Sequence, residues 1–269
     1  MGDRPVVLVT GASAGIGEAT AWKFAQEGYR VVLAARRIDR LNMLADKIVT
    51  AGGEAIPIET DVMKLEQLER MVQVTLDQYD HIDVLINNAG FGQINWLENL
   101  DPVKDIEDQI RVNLLAVILT TRLVLPGMIE RRSGHIINMD SISGLLATPT
   151  YSVYAASKFG VRGFSEALRR EVGVFGIRVS VIYPGGVATE FKEIAGIKRK
   201  TGITTPSRLR LSAEQVANST WLAVRHPKRT VVIPGFYRLA VAFNSVFPAL
   251  VDWFIERKFV RIERGIPRI

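Results

Sequence analysis

Cysteine is absent from the 269-residue chain, and histidine occurs only three times. Without cysteine the chain has no disulfide bond, no thiolate nucleophile and no cysteine-based zinc site. The histidines, His81, His135 and His226, are far apart in sequence, show no metal-ligand spacing and are interpreted as surface or element-end residues. We therefore expect no metal site. A chain without cysteine suits a reducing compartment, and a cytoplasmic location is expected.

Acidic residues are outnumbered by basic ones, 28 against 34, which gives a net charge of +6. The basic clusters at 198–200 and 257–268 have no nucleic-acid motif beside them, so no nucleic-acid partner is expected. They are interpreted as solvated faces. The more specific alternative is that they bind an anionic cofactor, substrate or lipid surface. Met1 to Pro5 is short and polar and a predicted strand follows at once, so no signal peptide is expected.

Short apolar segments rich in β-branched residues alternate with helical patterns along the chain. The predicted strands are Val6–Thr10, Arg30–Ala35, Ala55–Ile58, Val84–Asn87, His135–Met139, Arg178–Tyr183 and Thr230–Ile233. Such alternation predicts an α/β protein with a doubly wound, seven-stranded parallel sheet and helices on both faces. No repeat or linker divides the chain. One domain is therefore predicted, with its core at 5–234 and a C-terminal helical extension at 235–269.

A glycine-rich turn follows the first predicted strand. It consists of Gly11, Ala12, Ser13, Ala14, Gly15, Ile16 and Gly17. A helical pattern begins directly after it, and a helix N-terminus presents free N–H groups and a positive dipole end to a phosphate. Glycines also serve ordinary tight turns, but a strand, a glycine-rich turn and a helix in this order indicate a nucleotide-binding cradle.

Arg36 and Arg37 directly follow the second predicted strand, and no acidic residue stands at the position that would bind the ribose hydroxyls of NAD. An arginine there can bind a 2′-phosphate through two hydrogen bonds and stack on adenine. The pair therefore favours NADP(H) as the cofactor. The alternative is a pair of solvated arginines.

Tyr154 and Lys158 are four residues apart on a predicted helix, and Ser141 precedes the tyrosine by 13 residues. Residues i and i+4 share a helix face, so the ammonium can lie beside the phenol. A nearby positive charge favours the phenolate and lowers the tyrosine pKa from about 10. This pattern indicates a tuned general acid/base. Taken alone, the spacing is also common by chance.

The motifs together resemble the short-chain dehydrogenase/reductase family in order and spacing. They are Thr10-Gly11-x-x-x-Gly15-Ile16-Gly17, Asn87-Asn88-Ala89-Gly90, Asn113, Ser141, Tyr154-x-x-x-Lys158 and Pro184-Gly185. The resemblance spans about Val6 to Ile233. It implies a Rossmann-like fold, an NAD(H) or NADP(H) cofactor, and the interconversion of an alcohol with a ketone or aldehyde.

The resemblance also implies a role for each matching residue. Tyr154 would protonate the carbonyl oxygen, Ser141 would hold it, and Lys158 would lower the tyrosine pKa and bind the nicotinamide ribose. Asn113 would support a water in a proton relay to Lys158. The cofactor-binding set would be Gly11, Ser13, Ala14, Gly15, Ile16, Gly17, Arg36, Arg37, Asp61, Val62, Asn88, Ala89, Gly90, Tyr154, Lys158, Pro184, Gly185, Val187 and Thr189.

Two positions depart from the family pattern. Asp140 precedes Ser141 where many relatives carry a small neutral residue, and a carboxylate so close could disfavour the phenolate or simply point away. Ala14 stands where some NADP-preferring relatives carry a basic residue, so cofactor preference depends on Arg36 and Arg37.

The expected substrate is a hydrophobic carbonyl compound or alcohol. The apolar side chains that would form its pocket are Phe91, Trp96, Leu145, Leu146, Tyr151 and Phe191. Lys192 or Arg199 could meet an acidic group, although solvated loop charge is the preferred interpretation. The alternative functions are a non-catalytic NADP(H)-binding regulator and a membrane-surface-associated reductase of lipid-like substrates. Relatives commonly pair through the helices that here carry Asn113 and Tyr154, so a homodimer or homotetramer is expected.

The extension is almost wholly apolar from Leu239 to Val251 and then mixes aromatic, aliphatic and basic residues. The apolar part is too short and too interrupted to span a bilayer, which takes about 20 residues. Packing over the substrate pocket or against a second subunit is the preferred interpretation. A helix lying on an anionic membrane is the alternative.

Overall fold

The computed structural model describes residues 4–190 and 210–267. Its centre is one parallel sheet of seven strands in the order β3-β2-β1-β4-β5-β6-β7, which confirms the predicted fold class. The strands are β1 Val6–Thr10, β2 Arg30–Ala35, β3 Glu54–Glu59, β4 Val84–Asn87, β5 Gly134–Met139, β6 Ile177–Pro184 and β7 Thr230–Ile233. The predicted bounds of β1, β2, β4 and β7 are confirmed to the residue.

Helices connect the strands on both faces of the sheet. They are α1 Gly15–Gln26, α2 Ile38–Thr50, α3 Leu65–Tyr79, α4 Pro102–Glu130, α5 Ser152–Val172 and α6 Ala213–Arg225. The predicted capping box opens α6, since the side chain of Ser212 accepts from the Gln215 N–H and that of Gln215 accepts from the Ser212 N–H.

The strands are buried on both faces because successive side chains point to opposite sides. Val7 and Val9 of β1 belong to the core layer under α1, α2 and α6. Val6 and Leu8 of the same strand belong to the layer under α3, α4 and α5. This explains why the strands appear in the sequence as continuous apolar runs rather than as alternating ones.

The strand order reverses between β1 and β4, since β2 and β3 lie on one side of β1 and the later strands on the other. Ligands of open α/β sheets bind beyond the carboxyl ends of the strands at such a switch point. The glycine-rich turn follows β1, Asn88 follows β4 and Ser141 follows β5 closely. The sheet therefore brings the predicted motifs to one edge.

Helix α4 contains two π-helical segments, Pro102–Glu107 and Arg111–Leu115, and Asn113 is fully buried in the second. Segments of this kind are uncommon and are frequent at functional sites. By length and hydropathy α4 would be able to cross a membrane. Its residues Val124 and Met128 are nevertheless buried in the core against the sheet.

The C-terminal extension forms helix α7, Tyr237–Val246, and helix α8, Pro248–Arg264, which meet at an angle of 107°. Its two ends pack on the domain. Tyr237 joins the cluster around Val181 and Tyr183, and Phe259 is buried beside Trp96. The segment between these contacts is largely exposed, so packing on the chain's own domain is found only at the two ends.

His135 is the second residue of β5, so it lies at an element end as expected, and it is buried. Its Nε2 lies 2.8 Å from the Ser180 hydroxyl oxygen. Burial lowers its pKa to about 4. Because the side chain pairs with a neighbouring strand, only the tertiary structure reveals its burial.

Two glycines in helices provide a matched test of this architecture. A side chain at Gly17 would overlap the Gly11 carbonyl oxygen and approach Asn88 Nδ2 to 2.5 Å, whereas one at the exposed Gly163 in α5 would meet nothing within 4 Å. We expect Gly17→Ala to destabilise the protein by about 1–3 kcal/mol, since overpacking shifts the backbone. We expect Gly163→Ala to stabilise it by about 0.5–1 kcal/mol. Denaturant unfolding measures both, and equal effects would contradict the proposed crowding.

Candidate active site

The glycine-rich turn is fixed to the segment that follows β4. The hydroxyl of Thr10 accepts hydrogen bonds from the N–H groups of Asn88 and Ala89, at 3.0 and 3.1 Å. The Asn88 side-chain amide donates to the carbonyl oxygens of Thr10 and Gly11, at 3.0 and 3.3 Å. Gly11 has a φ of +67°, which favours glycine, and a side chain there would press on Ala89. Asn88 and Ala89 therefore support the turn.

The turn fits a dinucleotide phosphate. Within the described ranges, no side chain caps the N-terminus of α1, where Ala14 is the capping residue, so the first N–H groups point towards the sheet edge without a side-chain acceptor. A side chain at Gly15 would lie 3.1 Å from the Thr189 methyl group. The glycine-rich turn and Thr189 therefore lie close together. Because residue 15 is a glycine, the backbone of the turn stays accessible from the side of Thr189.

At the end of β2, the Arg37 guanidinium donates from Nε to the Ser13 hydroxyl, at 3.2 Å, and from Nη1 to Glu190, at 3.1 Å. Arg40 donates to the other oxygen of Glu190, at 2.7 Å. The two arginines lower the pKa of Glu190. Arg36 is exposed next to them. Arg37 rather than Arg36 therefore has the observed contact with the glycine-rich turn.

Glu190 and Arg40 were not predicted from the sequence. Glu190 directly follows Thr189 and lies 153 positions after Arg37. No motif connects Arg37 with Glu190. Arg40 lies one helical turn beyond Arg37, and that spacing is the only signal that could have found it.

Asp61 and Val62 follow β3 and are partly buried. The Asp61 carboxylate accepts from the Met63 N–H, at 3.1 Å, and its own N–H donates to the Gln67 side chain, at 2.7 Å. These bonds hold the turn at the strand end next to β2. The turn lies at the carboxyl edge of the sheet, beside the end of β2.

At the end of β6, the Gly185 N–H donates to the Ile233 carbonyl oxygen, at 2.7 Å, and a side chain on Gly185 would strike the Tyr237 ring. Pro184 pairs with Ile233 of β7. Val187 forms a parallel bridge with Leu211. This segment is therefore held between β7 and the first residue of α7, a contact that the sequence did not predict.

Ser141 and Tyr154 meet through their side chains, as predicted. Ser141 opens a short 3₁₀ turn, where its oxygen accepts from the Ser143 N–H, at 3.1 Å, and its hydroxyl hydrogen-bonds the Tyr154 phenol. The phenol is buried. Burial is the main cause that raises the pKa of Tyr154, the Ser141 hydrogen bond lowers it, and the charges of Asp140 and Tyr151 raise it further.

The predicted lowering of the Tyr154 pKa is therefore wrong for this structure. Lys158 is buried, donates to the Met139 carbonyl oxygen at 3.0 Å, and lies 5.8 Å from the Tyr154 ring centroid. Burial lowers the pKa of Lys158, and Asp140 raises it. Because the phenolate would lie in a desolvated site, Tyr154 keeps its proton at neutral pH, as a proton donor requires.

The polar groups of Asn113 and Lys158 both lie close to Gly90. The Asn113 amide forms two hydrogen bonds with the backbone of Phe91, at 3.0 and 2.8 Å, and donates to Ser157, at 3.2 Å. A side chain on Gly90 would lie 3.1 Å from Asn113 Oδ1 and 3.8 Å from Lys158 Nζ. Glycine at this position keeps open the space between the two polar groups.

Asp140 is buried beside these groups and does not point away into solvent. One carboxylate oxygen accepts from the Ser141 N–H, at 2.7 Å, and the other has no hydrogen-bond partner among the described residues. A side chain at Gly144 would strike the carboxylate. Burial raises the pKa of Asp140 to about 7, against the lowering effects of Lys158 and the Ser141 N–H. The carboxyl group therefore titrates near neutral pH.

Among the predicted pocket residues, Tyr151 packs edge-on against Tyr154, with ring centroids 6.2 Å apart. Leu145 packs near Tyr183 and Tyr237. Trp96 contacts Phe259 and the Arg264 guanidinium of α8. Phe191, Lys192 and Arg199 lie outside the described residues. Among the described residues, no group of three or more histidine, aspartate or glutamate side chains could hold a metal ion.

Comparison with known proteins agrees with this geometry. Residues 5–199 match the model of the short chain dehydrogenase family, and the chain belongs to that family of oxidoreductases. The chain is 37% identical over 225 residues to the NADP-dependent 3-hydroxy acid dehydrogenase YdfG of Salmonella typhi, covering 82% of this chain and 90% of the relative.

Two solved structures share the fold. A metagenomic short-chain oxidoreductase in complex with NADP is 30% identical, with a TM-score of 0.73, and the match covers 85% of this chain and 96% of that one. A short-chain dehydrogenase/reductase from Burkholderia phymatum in complex with NAD is 26% identical, with a TM-score of 0.82 and coverage of 93% and 95%.

Asp140→Asn tests the buried carboxyl. The native pKa of about 7 exceeds the unfolded value of 3.8, so the native state binds the extra proton between these values and loses stability as pH rises towards 7. A pKa difference of this size corresponds to about 4 kcal/mol. We expect Asp140→Asn to gain stability relative to the unmodified protein from pH 5 to pH 8, measured by denaturant unfolding. Asp39→Asn, at an exposed position, is the control, and a pH-independent difference for Asp140→Asn would exclude this titration.

Proposed function

We propose that the protein is an NADP(H)-dependent oxidoreductase that interconverts a hydrophobic ketone or aldehyde and its alcohol. The observation that carries the proposal is the buried, hydrogen-bonded pair of Ser141 and Tyr154 with Lys158 beside it. The cofactor, when bound, supplies or accepts the hydride. The glycine-rich turn, the uncapped end of α1 and the arginines after β2 would hold it.

Tyr154 provides the proton in this proposal. Its raised pKa keeps the phenol protonated at neutral pH, so it can donate to a carbonyl oxygen as negative charge develops there. Ser141 lies close enough to donate a second hydrogen bond to the same oxygen and stabilise that charge. The same pKa makes the phenolate scarce, so proton removal from an alcohol would be favoured at higher pH.

Lys158 and Asn113 would support the proton donor. Their polar groups face the space beside Gly90, and Asn113 is rigidly held by three hydrogen bonds. A water between them would connect Lys158 towards solvent and allow proton replacement after each turnover. Asp140 tunes both groups, because its charge raises the pKa of Lys158 and of Tyr154.

The preference for NADP(H) over NAD(H) is supported by the position of Arg37 against Ser13. A 2′-phosphate at this point would replace Glu190 as the acceptor of charge-assisted hydrogen bonds. The NADP in a solved relative supports the same choice, whereas another relative holds NAD.

A non-catalytic NADP(H)-binding regulator remains the alternative, and the presence of Asn113, Ser141, Tyr154 and Lys158 argues against it. We also propose a homodimer or homotetramer in the cytoplasm that pairs through α4 and α5. This is supported by the exposed apolar side chains of Val103, Leu115 and Phe159 on those helices.

Tyr154→Phe should reduce turnover by about 10²–10⁴-fold, because the variant loses only the proton donor. Its NADPH affinity should be almost unchanged. Lys158→Ala should reduce both turnover and NADPH affinity. Steady-state reduction of a ketone panel, followed by NADPH absorbance, and direct NADPH titration measure these effects. Tyr79→Phe removes another buried phenol outside the site and should retain activity. An active Tyr154→Phe enzyme would rule out the mechanism.

NADP(H) should bind more tightly than NAD(H), and the Arg37→Ala variant should lose most of the difference. A charge-assisted hydrogen bond to phosphate contributes about 1.5–3 kcal/mol, or roughly 10- to 150-fold in affinity. Arg36→Ala should have a smaller effect, since Arg37 contacts Ser13. Arg70→Ala, at an exposed position on α3, should have none. Titration of each variant with both cofactors tests this, and equal affinities in the unmodified protein would refute the preference.

A further inference from the structure

The residues 239–254, here called the apolar hairpin, comprise most of α7 and the first half of α8. Most of their large side chains are about half or more exposed, from 48% for Phe243 to 76% for Leu239, whereas Val241 and Val251 are partly buried. The exposed members that matter most are Leu239, Phe243, Val246, Leu250, Trp253 and Phe254. Outside the C-terminal extension, which also exposes Phe236, Ile262 and Ile266, the exposed apolar side chains of the described chain are dispersed between Met43 and Leu222. A contiguous patch of this kind marks a contact surface.

One face of α7 packs on the domain and the rest of the helix is exposed. Tyr237, Val241 and Asn244 share that face and are partly buried, and every other residue from 238 to 250 is exposed. No charged residue occurs from Leu239 to Val251. Either a second copy of the chain or lipid can cover an exposed side of this kind, so the neighbouring charges decide between them.

The charges at the borders of the apolar hairpin favour an anionic lipid surface. Arg238 precedes it, and Arg257 and Lys258 follow it, all exposed. The acidic residues here are Asp252, exposed near the end of the hairpin, and Glu256, which pairs with Arg261. The Arg257 guanidinium lies 4.7 Å from the ring centroid of Trp253, and tryptophan and basic side chains together are typical of the membrane–water interface. The net charge of +6 adds long-range attraction to anionic lipid.

The shape excludes a simple membrane span. Thirteen uncharged residues in helical form extend about 20 Å, whereas the hydrocarbon core is about 30 Å thick. The two helices also turn by 107° at Phe247 and Pro248. We propose that the apolar hairpin inserts into one leaflet of an anionic membrane and holds the enzyme on its surface. This replaces the preference for packing that the sequence suggested.

Both ends of the tail border the substrate site. Tyr237 packs under Gly185 and near Leu145, and Phe259 and Arg264 contact Trp96. Arg264 also pairs with Glu98. The mouth of the pocket therefore faces the docked membrane, and the substrate class is a lipid-soluble carbonyl compound or alcohol that enters from the bilayer. This second part rests on the proposed function.

Vesicle flotation of the full-length protein tests the docking. The vesicles contain phosphatidylcholine with or without phosphatidylglycerol. The unmodified protein should float with anionic vesicles, and the combined variant Leu239→Ser, Phe243→Ser and Leu250→Ser should bind them at least about tenfold more weakly. The matched variant Met43→Ser, Val49→Ser and Val174→Ser changes side chains that are as exposed elsewhere and should float like the unmodified protein.

Three results would overturn the docking. They are an unmodified protein that stays below anionic vesicles, equal flotation with neutral vesicles, and equal flotation of the hairpin variant. Light scattering adds the test for a second copy: a hairpin variant that becomes smaller than the unmodified protein, with no vesicle binding by either, would assign the surface to a subunit contact.

Substrate entry is tested separately with NADPH turnover. Both serine variants should reduce a water-soluble ketone as the unmodified protein does, and only the hairpin variant should lose, by about tenfold, the reduction of a long-chain ketone dissolved in anionic vesicles. Equal rates on the vesicle-borne ketone would overturn entry from the membrane. No turnover of any carbonyl compound by the unmodified protein would refute the proposed function, whereas flotation would still decide the docking.

Discussion

The hydrogen bonds between the end of β1 and the segment after β4 are the contact on which the site depends. Thr10 accepts from the backbone of Asn88 and Ala89, and the Asn88 amide donates back to the end of β1. These hydrogen bonds hold β1 and β4 together at the point where the strand order reverses. Gly17 can approach Gly11 only because this junction is tight. Gly90, two residues beyond Asn88, is then placed between Asn113 and Lys158.

Burial controls the chemistry of the three ionisable groups at the centre of the site. It raises the pKa values of Asp140 and Tyr154 and lowers that of Lys158, so each group shifts towards its neutral form. The charges of Asp140 and Lys158 oppose this effect on each other, whereas the charge of Asp140 adds to it at Tyr154. Protonation at any one of them therefore changes the others, and we expect their titrations to belong to the cluster rather than to one residue.

Local sequence determined much of what could be predicted. The bounds of β1 and β2 follow from continuous β-branched runs that both faces of the sheet bury, and Ser212 caps α6 through residues only three positions away. The meeting of Ser141 with Tyr154 followed from the family motif. By contrast, the raised pKa of Tyr154 depends on desolvation by the whole domain, and the burial of His135 depends on β6. The pairing of Arg37 with Glu190 joins residues that are 153 positions apart. None of these has a local signature.

The C-terminal tail contacts the domain at two points, and its bend lies between them. One end lies on Gly185, at the end of β6, and the other on Trp96, in the segment after β4. Helices α7 and α8 between them meet at a sharp bend rather than in a straight rod. A displacement of the bend would therefore act on the domain at two separate points, the end of β6 and the segment after β4.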